Sequence, residues 1–436
     1  MSALDNRTSG SGFEQFTVAC LLVVGLCLPT STGGAHSVLY VLVSFALVLG
    51  IFSYFVYGRG TRPGAVTFIA LPLVILLLVS TLSAFLSGTP QFDWGSLARL
   101  CLLAMLLSLN LREVSADRYA EMVLLLVNVF IVISGAAILV GSEWIGQFLS
   151  SNYSQFYPEL VSNMVGLHKP VLTFGTHSLA GFFIYLFFLL NWEIYKKRGS
   201  GLALFFAICD LVLLLALSSF TALAFSVLAI VQIGVGLWER SRRAFVAGAL
   251  CLVLVVFFVG RVLMDQIAND SDLERLAGTL LTVEGNGPVV RYGQGGTLRA
   301  AVEYLFSYPL SPMGFTVAPE LVESNTPLAD SGPLEYLLRG SLPAVVLIYF
   351  GLYRFLRFNL VLRRHAVMLF LVILAFESGF TVLNYVRTFY LLPFFVICLN
   401  SVARDGLAER GPSRQRNSAL FAKHVPRLVR RMEGPS

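Results

Sequence analysis

Long apolar stretches alternate with short polar connections along nearly the whole chain, with a period that suits helices crossing a lipid bilayer. A helix of about 20 apolar residues spans a hydrocarbon core of about 30 Å, because each residue rises about 1.5 Å and every backbone amide must be satisfied internally. Twelve stretches meet this description, at 15–30, 37–57, 66–87, 97–111, 121–141, 171–192, 201–218, 220–238, 244–264, 340–356, 366–384 and 388–402. The expected fold is an all-α polytopic membrane protein of about twelve transmembrane helices, with one large late loop that carries short helices of its own.

The connections supply the expected sidedness. With the N-terminus inside, the inner segments carry Arg7, Arg59 and Arg62, Arg112 and Arg118, Lys196 to Arg198, Arg240 with Arg242 and Arg243, and Arg354 to Arg364. The outer segments are then 31–36, 88–96, 142–170, 219, 265–339 and 385–387, and the short ones are almost free of Lys, as the positive-inside rule requires. Both termini are expected in the cytoplasm. The chain accordingly divides into residues 1–264 with nine spans, an outer loop 265–339, three spans over 340–402, and a basic tail over 403–436.

Composition agrees: the 436 residues are 56% hydrophobic and only 13% charged, with 35 Phe, which excludes an ordinary soluble domain. The first apolar stretch follows a single arginine and lacks a small-residue cleavage site, so it is expected to remain as a helix. The six cysteines all fall in predicted spans, and none has a metal-ligand spacing. From Val402 onward, eight Lys or Arg stand against Asp405, Glu409 and Glu433, a surplus of five in a net charge of +6 that suits contact with anionic lipid.

Two outer segments are long enough to build something. Between Ser142 and Lys169, Trp144, Ile145, Phe148, Leu149, Phe156, Leu160, Met164 and Val165 have the spacing of a helix on a membrane surface or of a lid, interrupted by Pro158. In the late loop, Leu298 to Tyr308 has helical spacing ended by Pro309, Pro312 and Gly314. Pro333 starts another helix that runs through Leu338 into the tenth span. This loop carries Arg275, Arg291, Arg299 and Arg339 among Glu303, Asp330 and Glu335 on the side where basic residues are normally sparse. Each arginine alone is compatible with a surface ion pair. Together they suggest an anionic ligand, most simply a phosphate.

Three stretches carry a likeness to a known family. They are Lys169-Pro-Val-Leu-Thr-Phe-Gly-Thr-His177-Ser-Leu-Ala180, the run from Arg291 through Arg299-Ala-Ala to Tyr308-Pro-Leu-Ser-Pro-Met-Gly314-Phe315, and Asp330-Ser-Gly-Pro-Leu-Glu335-Tyr-Leu-Leu-Arg339-Gly340. With the topology, they resemble the bacterial O-antigen ligases and the O-antigen or exopolysaccharide polymerases, among which the xanthan-type polymerases are a plausible relative. Lys169 stands where the family often has arginine, and Asp330-Ser331 replaces the His-Asn pair common in ligases, which tilts the resemblance toward a polymerase.

The resemblance implies a bacterial inner-membrane glycosyltransferase that joins oligosaccharide repeats carried on polyprenyl diphosphate at the periplasmic face, without metal or other cofactor. Expected partners are that lipid-linked donor, membrane lipid, a flippase and a chain-length regulator, and no nucleic acid. The implied roles are Asp330 or Glu335 as the base for the acceptor hydroxyl, and Arg291, Arg299, Arg339 and Lys169 around the diphosphate, with His177, Glu303 and Arg387 as further candidates.

Two alternatives stay open. A ligase would differ only in its acceptor, while a proton-coupled transporter or lipid-linked oligosaccharide flippase would use the intramembrane Asp210 and Glu377, although these, with Asn384, read better as groups that pair across helices for packing. A major-facilitator transporter would have a long inner linker between spans six and seven and paired halves, and this chain has neither. Asp270-Ser-Asp272 has the spacing of a nucleotide-sugar metal motif, but a periplasmic site has no nucleotide-sugar supply.

Overall fold

A computed structural model of the chain describes residues 12–28, 38–88, 91–114, 116, 118–153, 166, 168–217, 219–240, 298–309, 311–324, 328 and 331–408. In chain order these form α1 (Gly12–Cys27), α2 (Val38–Arg59), a π turn (Val66–Ala70) leading into α3 (Leu71–Leu86), β1 (Gln91–Phe92), α4 (Trp94–Ser108), α5 (Arg118–Leu139) and α6 (Glu143–Tyr153). They continue with α7 (His177–Arg198), α8 (Gly201–Ala216), α9 (Phe220–Arg240), α10 (Arg299–Ser307), β2 (Thr316–Val317) and α11 (Pro319–Glu323). The last are α12 (Gly332–Asn359), α13 (Arg363–Glu377), a 3-10 turn (Val382–Asn384) and α14 (Val386–Ala408).

The chain is predominantly helical, and among the described residues seven helices are long and apolar enough to cross a membrane. Three shorter apolar helices, α1, α4 and α8, accompany them. Each apolar stretch named above coincides broadly with a helix except 244–264, which lies outside the described residues.

Two helices form the centre. In α7 every residue from Leu179 to Glu193 is buried, and α14 is buried throughout Val386–Ala403, as expected of helices apolar on all faces. Around them α1, α2, α8 and α9 pack with one face in and one face out. Outward faces carry Leu78, Val79 and Leu82 of α3, Leu126 and Ile133 of α5, and Val227, Val231 and Val235 of α9. Such extensive exposed apolar surface suits contact with lipid and not with water.

The bundle has two ends, and segments assigned by loop charge to one side meet one another. At one end Asn359 accepts the Leu111 amide (2.7 Å) and donates to Leu109 O (3.1 Å), while Asn400 accepts from Val361 N (2.9 Å) and donates to Asn359 O (2.6 Å). Arg59 pairs with Glu14 at 2.5 Å, and Arg198 with Glu121 at 2.7 Å, at the same end. At the other end β1 pairs antiparallel with β2, in the register Gln91 to Val317 and Phe92 to Thr316. That pairing ties the connection before α4 to the late loop.

The late segment has a small core of its own, in which Leu298, Ala301, Met313, Ala318, Leu321, Leu334 and Leu338 pack together. The helix expected to run unbroken from Pro333 into a span is in fact kinked within α12, where Gly340 and Ser341 leave helical geometry and Ser341 takes φ 56°. Such a conformation is strained for a side-chain-bearing residue and persists only when its surroundings compel it. The break frees carbonyls at the end of the first helical piece. Met313 N and Gly314 N bind Leu338 O and Arg339 O at 2.8 and 2.7 Å, which docks the late loop on α12.

Candidate functional site

Asp93 caps α4 in the ordinary way for its residue type, its Oδ1 accepting the Ser96 amide at 2.9 Å and its Oδ2 the Ser96 hydroxyl at 2.6 Å. The same carboxylate reaches Arg339 Nη2 at 2.7 Å. Arg339 is 2% exposed, and its remaining donors are also taken. Nε goes to Glu335 Oε1 (3.1 Å), Nη1 to Gly314 O (3.1 Å) and Thr316 O (3.5 Å), and Nη2 also to Ser96 Oγ (2.6 Å). One guanidinium thereby joins the cap of α4, the late loop and the first turns of α12. Burial alone would raise the Asp93 carboxyl, but Arg339, the two Ser96 hydrogen bonds and Arg99 together outweigh it and hold it below the usual carboxylate range.

Gly314 explains the glycine of the second motif. It has φ +58°, and a Cβ there would collide with Thr81 N and Oγ1 and with Leu77 O of α3. The late loop lies directly on α3 at this point, with Phe315 N donating to Thr81 Oγ1 at 2.8 Å.

A cavity of about 320 Å3 opens beside this junction. Asp93, Arg99, Glu335 and Arg339 line its charged side, and Val317, Leu321, Val322 and Leu328 its apolar side. The remaining wall comes from Phe380, Thr381, Asn384 and Tyr385, the connection between α13 and α14. Thr381 is 2% and Asn384 4% exposed, yet Thr381 Oγ1 and both polar atoms of the Asn384 amide have no hydrogen-bond partner among the described residues. Leaving a buried polar group unsatisfied costs about 1–3 kcal/mol. Their backbone is nevertheless held firmly: Glu377 Oε1 accepts the Leu383 amide at 2.7 Å, Thr388 Oγ1 donates to Val382 O at 2.6 Å, and Tyr349 donates to Glu377 Oε2 at 3.2 Å.

Three residues beyond Asn384, in the first turn of α14, lies Arg387, 2% exposed. Its Nη1 donates to Gly25 O (3.0 Å) and Leu26 O (2.9 Å), carbonyls at the C-terminal end of α1, and to Thr173 Oγ1 (3.4 Å). Its Nε is unpartnered, its guanidinium carbon lies 5.4 Å from the centre of the Tyr153 ring, and no carboxylate pairs with it among the described residues. The partial negative charge of a helix C-terminus offsets only part of a full positive charge. Tyr385 links this site to the cavity, since it lines the cavity while its hydroxyl donates to Phe174 O at 3.4 Å. Gly175, at φ +83°, sits against Tyr153 O and the Tyr385 hydroxyl.

The structure therefore brings together Glu335, Arg339 and, on the adjoining turn, Arg387. Lys169 lies in the connection before α7 and His177 is the first residue of α7; neither lines the cavity. Arg299 and Glu303 form an i,i+4 ion pair of 2.6 Å on α10, about half exposed on both sides and away from the cavity lining. Arg291 and Asp330 lie outside the described residues, as do Arg275 and the Asp270 to Asp272 run. The intramembrane acids do not meet each other: Asp210 accepts from Asn191 (2.9 Å), which exchanges hydrogen bonds with Asn128, while Glu377 holds the 382–384 turn.

Asp93, Arg99 and Thr381 were not legible as site residues, and Asn384 stood out only as a polar group near the end of a span. Asp93-Trp-Gly-Ser96 reads as a helix cap, which it is, and nothing local marks its second partner. Comparison with protein-family models, curated proteins and solved structures finds no match to this chain.

Proposed function

We propose that the chain is a twelve-span bacterial inner-membrane glycosyltransferase of the polymerase type, with both termini cytoplasmic and the Asp93 end facing the periplasm. It joins oligosaccharide repeats carried on polyprenyl diphosphate into exopolysaccharide or O-antigen. The observation that carries this reading is convergence. Segments far apart in the chain, meeting at the end expected to face outward, wall one cavity that holds two carboxylates, polar groups without partners among the described residues and, next to it, a guanidinium with no acid among those residues.

In the proposed reaction an acceptor hydroxyl oxygen attacks the anomeric carbon of the donor repeat. The bond from that carbon to the diphosphate oxygen breaks, the diphosphate leaves with the electron pair, and the hydroxyl proton passes to a carboxylate. Glu335 lines the cavity, with its Oε1 3.1 Å from Arg339 Nε, which puts a carboxylate within reach of that proton; Asp330 is the other candidate. The charge that develops on the leaving diphosphate needs a cation not already neutralised by protein acids. Arg387 meets this condition better than Arg339, whose charge is shared between Asp93 and Glu335. Lys169, Arg291 and Arg299 remain candidates for further contacts with the lipid diphosphate.

The transporter reading is less well supported. Asp210 and Glu377 each have separate protein partners, as packing residues do. The ligase reading differs in the acceptor alone. A strain lacking this chain should accumulate a single unpolymerised repeat on its lipid carrier, seen by mass spectrometry of extracted lipid, and E335Q should not restore polymer. Normal polymer in the deletion strain would overturn the proposal.

A further inference from the structure

We infer that the cavity walled by Thr381 and Asn384 is a subsite for one neutral sugar ring of the acceptor, read through its hydroxyls. This rests on the glycosyltransferase reading above and specifies what its cavity holds. Charge comes first: Asp93 and Glu335 stand beside Arg99 and Arg339 on the charged side of the cavity, so the formal charges of the lining cancel and give no preference for a phosphate. The uncompensated guanidinium, Arg387, belongs to the neighbouring wall.

The polar groups left for a ligand are a hydroxyl and a carboxamide. Thr381 Oγ1 donates once and accepts, and the Asn384 amide donates twice and accepts; all are buried and have no partner among the described residues. Adjacent hydroxyls of a sugar ring have the same mixed donor and acceptor character, and an amide bridges two of them without any change of charge. Val317 and Leu321 supply an apolar wall for the C–H face of such a ring, and Phe380 and Tyr385, 6.3 Å apart and edge to face, supply aromatic surface. The volume of about 320 Å3 is at the small end for ligand sites, which favours one ring over a longer segment. Glu335 on the same lining puts a carboxylate where a bound hydroxyl would be deprotonated, so the ring is that of the acceptor.

The test uses the full chain in lipid nanodiscs, with saturation-transfer NMR to follow methyl glycosides of glucose, mannose and galactose, and inorganic diphosphate as a counter-probe. At least one glycoside should bind the wild-type protein. T381V and N384L, which keep the shape and remove the hydrogen bonds, should each weaken it by about 3- to 10-fold while leaving diphosphate binding unchanged. V322W leaves both polar groups in place and fills the cavity from a partly exposed position, so it should also abolish glycoside binding even where the buried variants fail to fold. The inference is overturned if no glycoside binds the wild type, if T381V and N384L bind it as the wild type does, or if V322W has no effect. Glycoside binding lost in these variants, beside normal polymer in the deletion strain, would uphold the subsite and defeat the polymerase reading; loss of polymer on deletion with unaffected binding in the variants would do the reverse.

Discussion

Asn359 and Asn400 at one end of the bundle and Asn384 at the other are the same residue type at nearly the same burial, and they differ in what their amides do. Asn359 and Asn400 use their carbonyl oxygens and their amide protons on backbone groups of segments far away in sequence, so that connections 109–111 and 359–361 are locked together. Asn384 uses neither, although its backbone is fixed by Glu377 and Thr388. A buried amide is stabilising when paired and costly when not. The first end is a latch, whereas the second keeps a cost in the free protein that a ligand would relieve.

Several substitutions sharpen or break that contrast. The largest effect is expected from R339M, which leaves the buried Glu335 and the partly buried Asp93 without their common cation and should destabilise the protein by about 3–5 kcal/mol. Thermal unfolding in nanodiscs would measure it, and an unchanged midpoint would mean that the cavity end is held by other contacts. Next, N359L should cost about 1–3 kcal/mol, because the Leu111 amide and Leu109 carbonyl lose their partners. N384L should leave the unfolding midpoint unchanged or raise it while polymer falls. Equal destabilisation by N359L and N384L would erase the distinction between the two ends.

Acid supplies a smaller effect. Because Asp93 has its pKa depressed in the folded state, the unfolded chain binds the proton more readily. The stability it contributes is therefore complete above the ordinary carboxylate pKa, near 4, and lost as pH falls through the depressed value. The unfolding midpoint should drop below about pH 4, and D93N should flatten that drop; an identical acid profile for D93N would remove Asp93 from the account. The smallest effect belongs to R299A. Its half-exposed ion pair with Glu303 should be worth only about 0.3–0.5 kcal/mol, so a large loss of polymer without loss of stability would show that Arg299 acts on the substrate.

Much of the scaffold was legible along the chain. The helical spacing of Leu298 to Tyr308 is α10, Pro333 lies in the first turn of α12, and the last apolar stretch is α14, longer than its hydropathy suggested. The kink at Gly340 and Ser341 was not legible, because it depends on carbonyls claimed by Met313 and Gly314 from another segment. The site was legible only in part. Glu335 and Arg339 stood out as charges in an outer loop, but the motif arginine Arg299 turned out to be engaged with its own helix neighbour.

Hydropathy and charge are local properties, so the sequence by itself determined the helices, their apolar faces and which connections share an end. Tertiary structure decided which charged and polar groups share a space. Asp93 and Arg339 are 246 residues apart, and Arg387 caps a helix 361 residues earlier. Such partners are chosen by the packing of helices and not by any spacing along the chain. Whether a buried cation is neutralised, as Arg339 is, or left without an acid among the described residues, as Arg387 is, follows from that packing.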